Sequence, residues 1–237
     1  IQHPHQAAAD LRGQPDPLRL SPGKAAGSPG KRQIVQSYIQ QKLNPRFDFA
    51  RECVSTCTSA LYRVFAARTS ALEGKVKVIH LISGGDTGGA RTHVYSLLKY
   101  LGQIIDVQLV CFRSGDFADG AAALGIPTMV LDGGFLPNLA ALKKLIRAGE
   151  YDLVHCHGSM ANVMGAMLRP SVHVPVISTV HSDYRLDYLG RPFARAVYGT
   201  LNIWALHRLD YRVCVSDPIR QRLIDRGFEP NRLFSIY

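Results

Sequence analysis

The run Lys75-Val-Lys-Val-Ile-His-Leu-Ile82 passes directly into Ser83-Gly84-Gly85-Asp86-Thr87-Gly88-Gly89-Ala90-Arg91-Thr92-His93. The first segment is rich in β-branched and apolar residues and predicts a buried strand. The second is dense in glycine and opens a helical pattern over Ala90–Leu101. A strand, a glycine loop and a helix in that order leave unpaired N–H groups at a positive helix end. That arrangement suits a phosphate or another anion. A dinucleotide fingerprint is absent, because the loop contains no Gly-x-Gly. The next strand ends in Cys111-Phe112-Arg113-Ser114-Gly115, which puts Arg113 where a ribose-binding acid would stand.

Outward from this unit the same texture repeats. Strands are predicted at Lys75–Ile82, Ile105–Phe112, Thr128–Leu131, Leu153–His157, Val174–Val180 and Arg212–Ser216. Helices are predicted at Ala90–Leu101, Phe117–Leu124, Asn138–Ala148, Met160–Leu168, Pro192–Arg208 and Asp217–Arg226. The strands show little polar alternation, as in a sheet covered on both faces. The expected fold class is α/β, a doubly wound parallel Rossmann-like sheet. Ligands of such sheets bind at the carboxyl ends of the strands, which selects the loops that matter.

The 237 residues suffice for one large domain or two small ones, and the net charge of +10 favours anionic partners. Residues 1–30, rich in Ala, Gly, Pro and Gln, read as a disordered tail. Residues 31–74 read as a linker or helical segment of unknown role, and residues 75–237 as the Rossmann-like domain. Five cysteines without disulfide spacing point to a reducing compartment. No apolar run is long enough to span a bilayer, and no signal peptide is evident. The expected location is cytoplasmic, with the inner face of the cell membrane as a candidate peripheral site. Nucleic acid is not expected as a partner, since the charge comes with no recognition motif.

Two strand ends carry histidine. In His155-Cys156-His157-Gly158, His155 and His157 share one face of the strand and His157 stands at its end. In Thr179-Val180-His181-Ser182-Asp183, His181 follows the next strand. His157 and His181 are expected to converge on the glycine loop as catalytic or ligand contacts, while His155 reads as structural. Two or three histidines suit zinc, but no carboxylate partner for an open site is evident, so no metal is expected. The Tyr- and Arg-rich stretch from Asp183 to Arg212 predicts a core-facing helix with a basic outer face, and an anionic membrane surface is a candidate partner for it.

Four pieces together resemble the N-terminal half of a glycosyltransferase family 4 enzyme, which would make the sheet one half of a GT-B fold. They are Thr87-Gly88-Gly89-Ala90-Arg91-Thr92-His93, Tyr151-Asp152-Leu153-Val154-His155-Cys156-His157-Gly158, Pro175-Val-Ile-Ser-Thr-Val-His181, and Leu209-Asp-Tyr-Arg-Val-Cys-Val-Ser216 with its following helix. The resemblance covers about Lys75 to Tyr237. It implies sugar transfer, generally with retention, from a nucleotide-sugar donor to a glycan or lipid-linked acceptor, in polysaccharide or cell-envelope glycoconjugate synthesis. It implies that Gly88 and Gly89 contact the donor diphosphate, that His157 stands beside the reacting sugar, and that His181 and Asp183 line the acceptor side, with Arg113 reaching an acceptor phosphate. It implies no cofactor beyond the nucleotide sugar and no catalytic metal. In the family a second domain carries most of the donor site, so residues 1–237 alone are expected to be an inactive acceptor half. The alternatives are a non-catalytic Rossmann-like binding module at a membrane surface and a GT-B sugar-nucleotide epimerase.

Overall fold

A computed structural model of the chain describes residues 76–85, 88–183 and 195–236. The expected tail 1–30, the segment 31–74, Asp86 and Thr87 of the glycine loop, and Pro192 at the start of a helix lie outside the described residues. Seven parallel strands form one sheet: β1 Lys77–Ile82, β2 Asp106–Cys111, β3 Thr128–Val130, β4 Leu153–His157, β5 Val176–Val180, β6 Tyr211–Cys214 and β7 Leu233–Ser235. Their order is β3-β2-β1-β4-β5-β6-β7, and every neighbouring pair is parallel. The chain runs outward on one side of β1, then returns to continue from β4 on the other. The crevice between the β1 and β4 ends is therefore the switch point at which doubly wound sheets bind ligands.

The connecting helices are α1 Gly88–Leu101, α2 Asp116–Ala123, α3 Phe135–Ala148, α4 Gly158–Leu168, α5 Thr200–Arg208 and α6 Asp217–Asp225. α1, α2, α3 and α4 all begin earlier than their periodicity predicts. Gly134 (φ 89°) and Gly158 (φ 81°) adopt the left-handed conformation and turn the chain sharply into α3 and α4. Pro137 then sits in the first turn of α3, where its missing N–H costs nothing. The helix expected over Pro192–Arg208 is described from Arg195, where a wide π-type turn, Arg195–Gly199, runs directly into α5 and ends at Arg208.

Alternation along the strands divides the core into two layers. Ile79, Leu81, Val110, Val154, Cys156, Val176 and Val180 face Leu142 and Ile146 of α3, Ala161 and Ala166 of α4, and Ala205 and Leu206 of α5. On the opposite face, Val78, Leu153, Ile177 and Val213 pack with Leu97 and Leu101 of α1. Ile82, Leu109 and Cys111 pack with Val94 and Leu98 of α1 and Phe117 of α2. Close approach of α4 to the sheet depends on Gly165, where a Cβ would stand 2.5 Å from Cys156 Sγ.

Two aspartates in the sequence motifs prove to be stitches at the amino edge of the sheet. Asp152 accepts a hydrogen bond from the Lys77 N–H at 2.8 Å. Asp210 accepts one from the Val176 N–H at 2.8 Å and pairs with Arg169 at 2.6 Å. Each satisfies a strand-end N–H that the parallel ladder leaves unpaired. No helix among the described residues is long and apolar enough to cross a membrane.

Candidate functional site

The glycine loop and Arg113 are built as one unit. Gly84 has φ 86°, and a Cβ there would lie 2.6 Å from the Arg113 carbonyl oxygen, so the ends of β1 and β2 can approach only because residue 84 has no side chain. A Cβ at Gly85 would lie 3.3 Å from Arg113 Nη1, which places the guanidinium over the loop. Gly88 and Gly89 open α1, and Gly89 is exposed with nothing within 4 Å of a Cβ built on it. Bare amides at a helix start and a guanidinium together favour an anion.

Between α1, α4 and α5 runs a groove of about 1020 Å³. The strand ends and α1 contribute Ser83, Arg113, His181 and Ala90 to its lining, and α3, α4 and α5 contribute Phe135, Met160, Val163, Met167, Leu201 and Trp204 together with Ser159 and Thr200. Met160, Met167, Leu201 and Trp204 are exposed despite their size. No Asp or Glu stands among the described lining residues.

Behind the groove stands a block of five histidines drawn from β1, α1, β4 and the end of β5. The parallel register pairs His80 with His155 and Ile82 with His157. His80 Nδ1 lies 3.1 Å from His157 Nε2, and His157 Nδ1 lies 3.4 Å from His181 Nε2. His155 Nε2 contacts Thr179 Oγ1 at 2.7 Å, and its ring stacks on His157 with centroids 4.4 Å apart. His93 meets His181 edge-on at 4.9 Å. Three ring nitrogens have no partner among the described residues: His80 Nε2, His93 Nε2 and His155 Nδ1.

All five rings are held neutral. Burial lowers His80 to about 3, with the neighbouring His93 adding to the effect, and His181 falls to about 3 for the same two reasons. Burial also pushes His155 and His157 well below their ordinary value, with the other histidines adding to it, and lowers His93. Neutral imidazoles are competent metal ligands, and His80, His155 and His157 bring nitrogens within 4.8 Å of one another. His80 Nδ1 and His157 Nε2 face each other at 3.1 Å and His155 Nε2 contacts Thr179 Oγ1, so in this arrangement those nitrogens are engaged in hydrogen bonds.

The sequence expectations thus meet a specific arrangement. His157 and His181 do come together at the strand ends beside β1. His157, however, is 1% exposed with both ring nitrogens engaged, and it reaches the groove through His181. Arg113 and His181 line the groove directly. Asp183 does not line it: its carboxylate takes two hydrogen bonds from Arg226 of the α6 C-terminus, at 2.8 and 2.7 Å, with Arg222 at 3.7 Å. His80 escaped the sequence reading, and His93, quoted there as the last residue of the glycine-loop motif, was given no role. The signal for His80 was position: it lies in β1 two residues before its end, so register alone would have set it beside His155.

Residues 87–237 match the model of the family described as Glycosyltransferase Family 4. The UDP-Gal:alpha-D-GlcNAc-diphosphoundecaprenol alpha-1,3-galactosyltransferase of Escherichia coli is 28% identical over 145 residues, covering 52% of this chain and 37% of that protein. The Anabaena protein Alr3699/HepE, solved with UDP-glucose, superposes with a TM-score of 0.56 at 21% identity, over 68% of this chain and 43% of that one. A UDP-N-acetylglucosamine 2-epimerase from Rickettsia bellii superposes with a TM-score of 0.51 at 13% identity, over 68% and 44%. The chain spans less than half the length of each of these relatives. The likenesses to solved structures establish a shared fold, one sheet-and-helix half of a GT-B architecture. With a family model covering the sheet from the glycine loop to Tyr237, the chain belongs to Glycosyltransferase Family 4.

Proposed function

We propose that the complete protein transfers a sugar from a nucleotide-sugar donor to a lipid-linked or glycan acceptor, with retention, and that this chain supplies the acceptor half of the site. The observation that carries the reading is the composition of the groove, which joins a cation over the glycine loop at the strand ends to large apolar side chains from the helices. An acceptor joining a diphosphate to a lipid pairs the same two chemistries. The relatedness to a galactosyltransferase named for a diphosphoundecaprenol acceptor supports it. In this reading Arg113 holds an acceptor phosphate and His181 contacts acceptor or donor oxygens. The N–H groups of Gly88 and Gly89 face the donor diphosphate. The dipole of α1 stabilises the developing leaving-group charge without a metal. The lipid portion of the acceptor would bring the groove to the inner face of the cell membrane, where Met160, Met167, Leu201 and Trp204 suit the interface and where cell-envelope glycoconjugates would be the product class.

The epimerase alternative shares the fold, but its proton chemistry calls for carboxylates in the cleft. The described lining has none, and Asp183 is committed to Arg226. The test is transfer by the protein encoded by the complete gene, supplied with UDP-galactose and GlcNAc-diphosphoundecaprenol, then with other UDP-sugars. The expected result is transfer that falls about 100-fold in His181→Ala with the fold retained. Absence of transfer to any lipid-linked or glycan acceptor, or full activity of His181→Ala, would overturn the reading.

A further inference from the structure

We propose that His80, one strand away from the groove and wholly buried, is a positioning residue: through a head-to-tail chain of imidazoles it fixes which nitrogens of His157 and His181 carry protons, so that His181 meets the groove ligand as a hydrogen-bond donor. The proposal deepens the reading of the groove as a site for oxygen-bearing ligands, and its first test uses no ligand at all.

The geometry is that of a wire. His80 Nδ1 to His157 Nε2 is 3.1 Å, with centroids 5.4 Å apart and planes within 16°. His157 Nδ1 to His181 Nε2 is 3.4 Å, with centroids 5.7 Å apart and planes within 35°. In both links the centroid separation exceeds the N···N distance by about the width of a ring, so the rings meet edge to edge and not face to face. His155 is outside the chain: it stacks over His157, and its Nε2 shares a hydrogen bond with Thr179 Oγ1.

A neutral imidazole has one N–H and one bare nitrogen. Each link needs one of each, so the tautomers of the three rings are tied together and only two patterns satisfy both bonds. In the outward pattern every ring is protonated at Nδ1. His80 donates to His157, His157 donates to His181, and His181 has its Nδ1–H left for the groove. In the inward pattern every ring is protonated at Nε2 and His181 offers the groove a bare nitrogen. The inner end decides between them. His80 Nε2 is buried with no partner among the described residues. The inward pattern would strand an N–H there and the outward one a bare nitrogen; we take the stranded N–H as the less tolerated, as it is among buried backbone groups. Polarisation along the chain adds to the preference in a dry interior. The outward pattern also matches the groove, which with Arg113 is equipped for phosphate and hydroxyl oxygens. His80 is thus the anchor that aims His157 and, through it, His181.

The test is the tautomeric state of the histidine rings in the full 237-residue chain, read by long-range proton–nitrogen NMR at pH 7.5 without ligand and assigned by single replacements. The expected spectrum shows His80, His157 and His181 all as Nδ1–H tautomers. His80→Leu removes the donor, and His157 is expected to shift from a single Nδ1–H form to a mixture with Nε2–H. His80→Asn restores an amide donor near the position of Nδ1 and is expected to return the single form, a rescue that a merely space-filling role would not show. Finding His157 or His181 protonated at Nε2 in the unsubstituted chain would overturn the proposal. So would a His80→Leu chain whose His157 and His181 signals are unchanged. The spectrum of the unsubstituted chain decides alone if His80→Leu does not fold. Failure of sugar transfer would leave this measurement intact, so the two readings can fail separately.

Discussion

The two faces of one sheet are built from different chemistry. On one, Ile79, Leu81, Val154, Cys156, Val176 and Val180 join the inner faces of α3, α4 and α5 in a single apolar layer. On the other, the apolar residues fall into two separate clusters, one around Val78, Leu153 and Ile177 and one around Ile82, Leu109 and Phe117. His80, His155 and His157 occupy the same strands on that second face. Successive residues of β1 and β4 thus serve opposite ends. Leu81 and Cys156 hold the sheet to its helices, and His80 and His157 carry a polar chain to the groove. Period-two alternation is what lets a five-residue strand do both. The comparison teaches that one face is a continuous apolar layer, whereas the other sets its two apolar clusters beside buried polar groups that contribute little net stability at neutral pH and lose it in acid.

The largest effect that would break this comparison is on stability. Leu81→Ala, which empties a wholly buried site in the apolar layer, is expected to cost about 2–5 kcal/mol. The double replacement His155→Leu with Thr179→Val removes both partners of one buried hydrogen bond on the other face. It is expected to stay within about 1 kcal/mol of the unsubstituted chain. Urea unfolding of the two variants at pH 7.5 compares them directly. Equal losses would show that the faces do not divide the work.

A smaller effect sharpens the same contrast. His80 and His181 are held to about 3 in the folded chain, while their ordinary value is 6.5. Between those values the unfolded chain binds protons that the folded chain refuses, so stability is full above 6.5 and declines as the pH falls toward 3. The slope is at most about 1.4 kcal/mol per pH unit for each such histidine. Urea midpoints measured from pH 7.5 down to 4.5 should fall steadily in the unsubstituted chain. They should fall less steeply in the His155→Leu/Thr179→Val chain, which has one buried histidine fewer. A flat profile, or one that rises in acid, would contradict the neutral histidine block.

The strands and most helices were legible because each carries its own signal. Lys75–Ile82 is a β-branched run, and Gly84 and Gly85 punctuate it where the structure turns. The convergence of His157 and His181 was legible too, since strand-end residues of a doubly wound sheet meet at one edge. What the sequence hid depends on register and on distant partners. His80 acquires meaning only once β1 lies beside β4 with His80 opposite His155. Asp183 resembles a ligand contact in its strand-end motif, yet its partner, Arg226, stands 43 residues away, a separation no local pattern encodes. Asp152 and Asp210 read as motif residues and turn out to cap strand-end N–H groups. The early starts of α3 and α4 were missed because periodicity marks the buried face of a helix and says little about its first turn, which here follows a left-handed glycine.

The central claim is that the groove between α1, α4 and α5 is the acceptor site, with Arg113 holding its phosphate. Trp204, the sole tryptophan of the chain, lines that groove and reports on it without a label. The most direct measurement is Trp204 emission during titration of the full chain with a short-chain prenyl-diphospho-GlcNAc. The account predicts a saturable change in emission, with affinity about tenfold weaker in Arg113→Ala, the loss of one charge-assisted contact. An emission spectrum that stays constant through the titration, or binding that Arg113→Ala leaves unaltered, would contradict it.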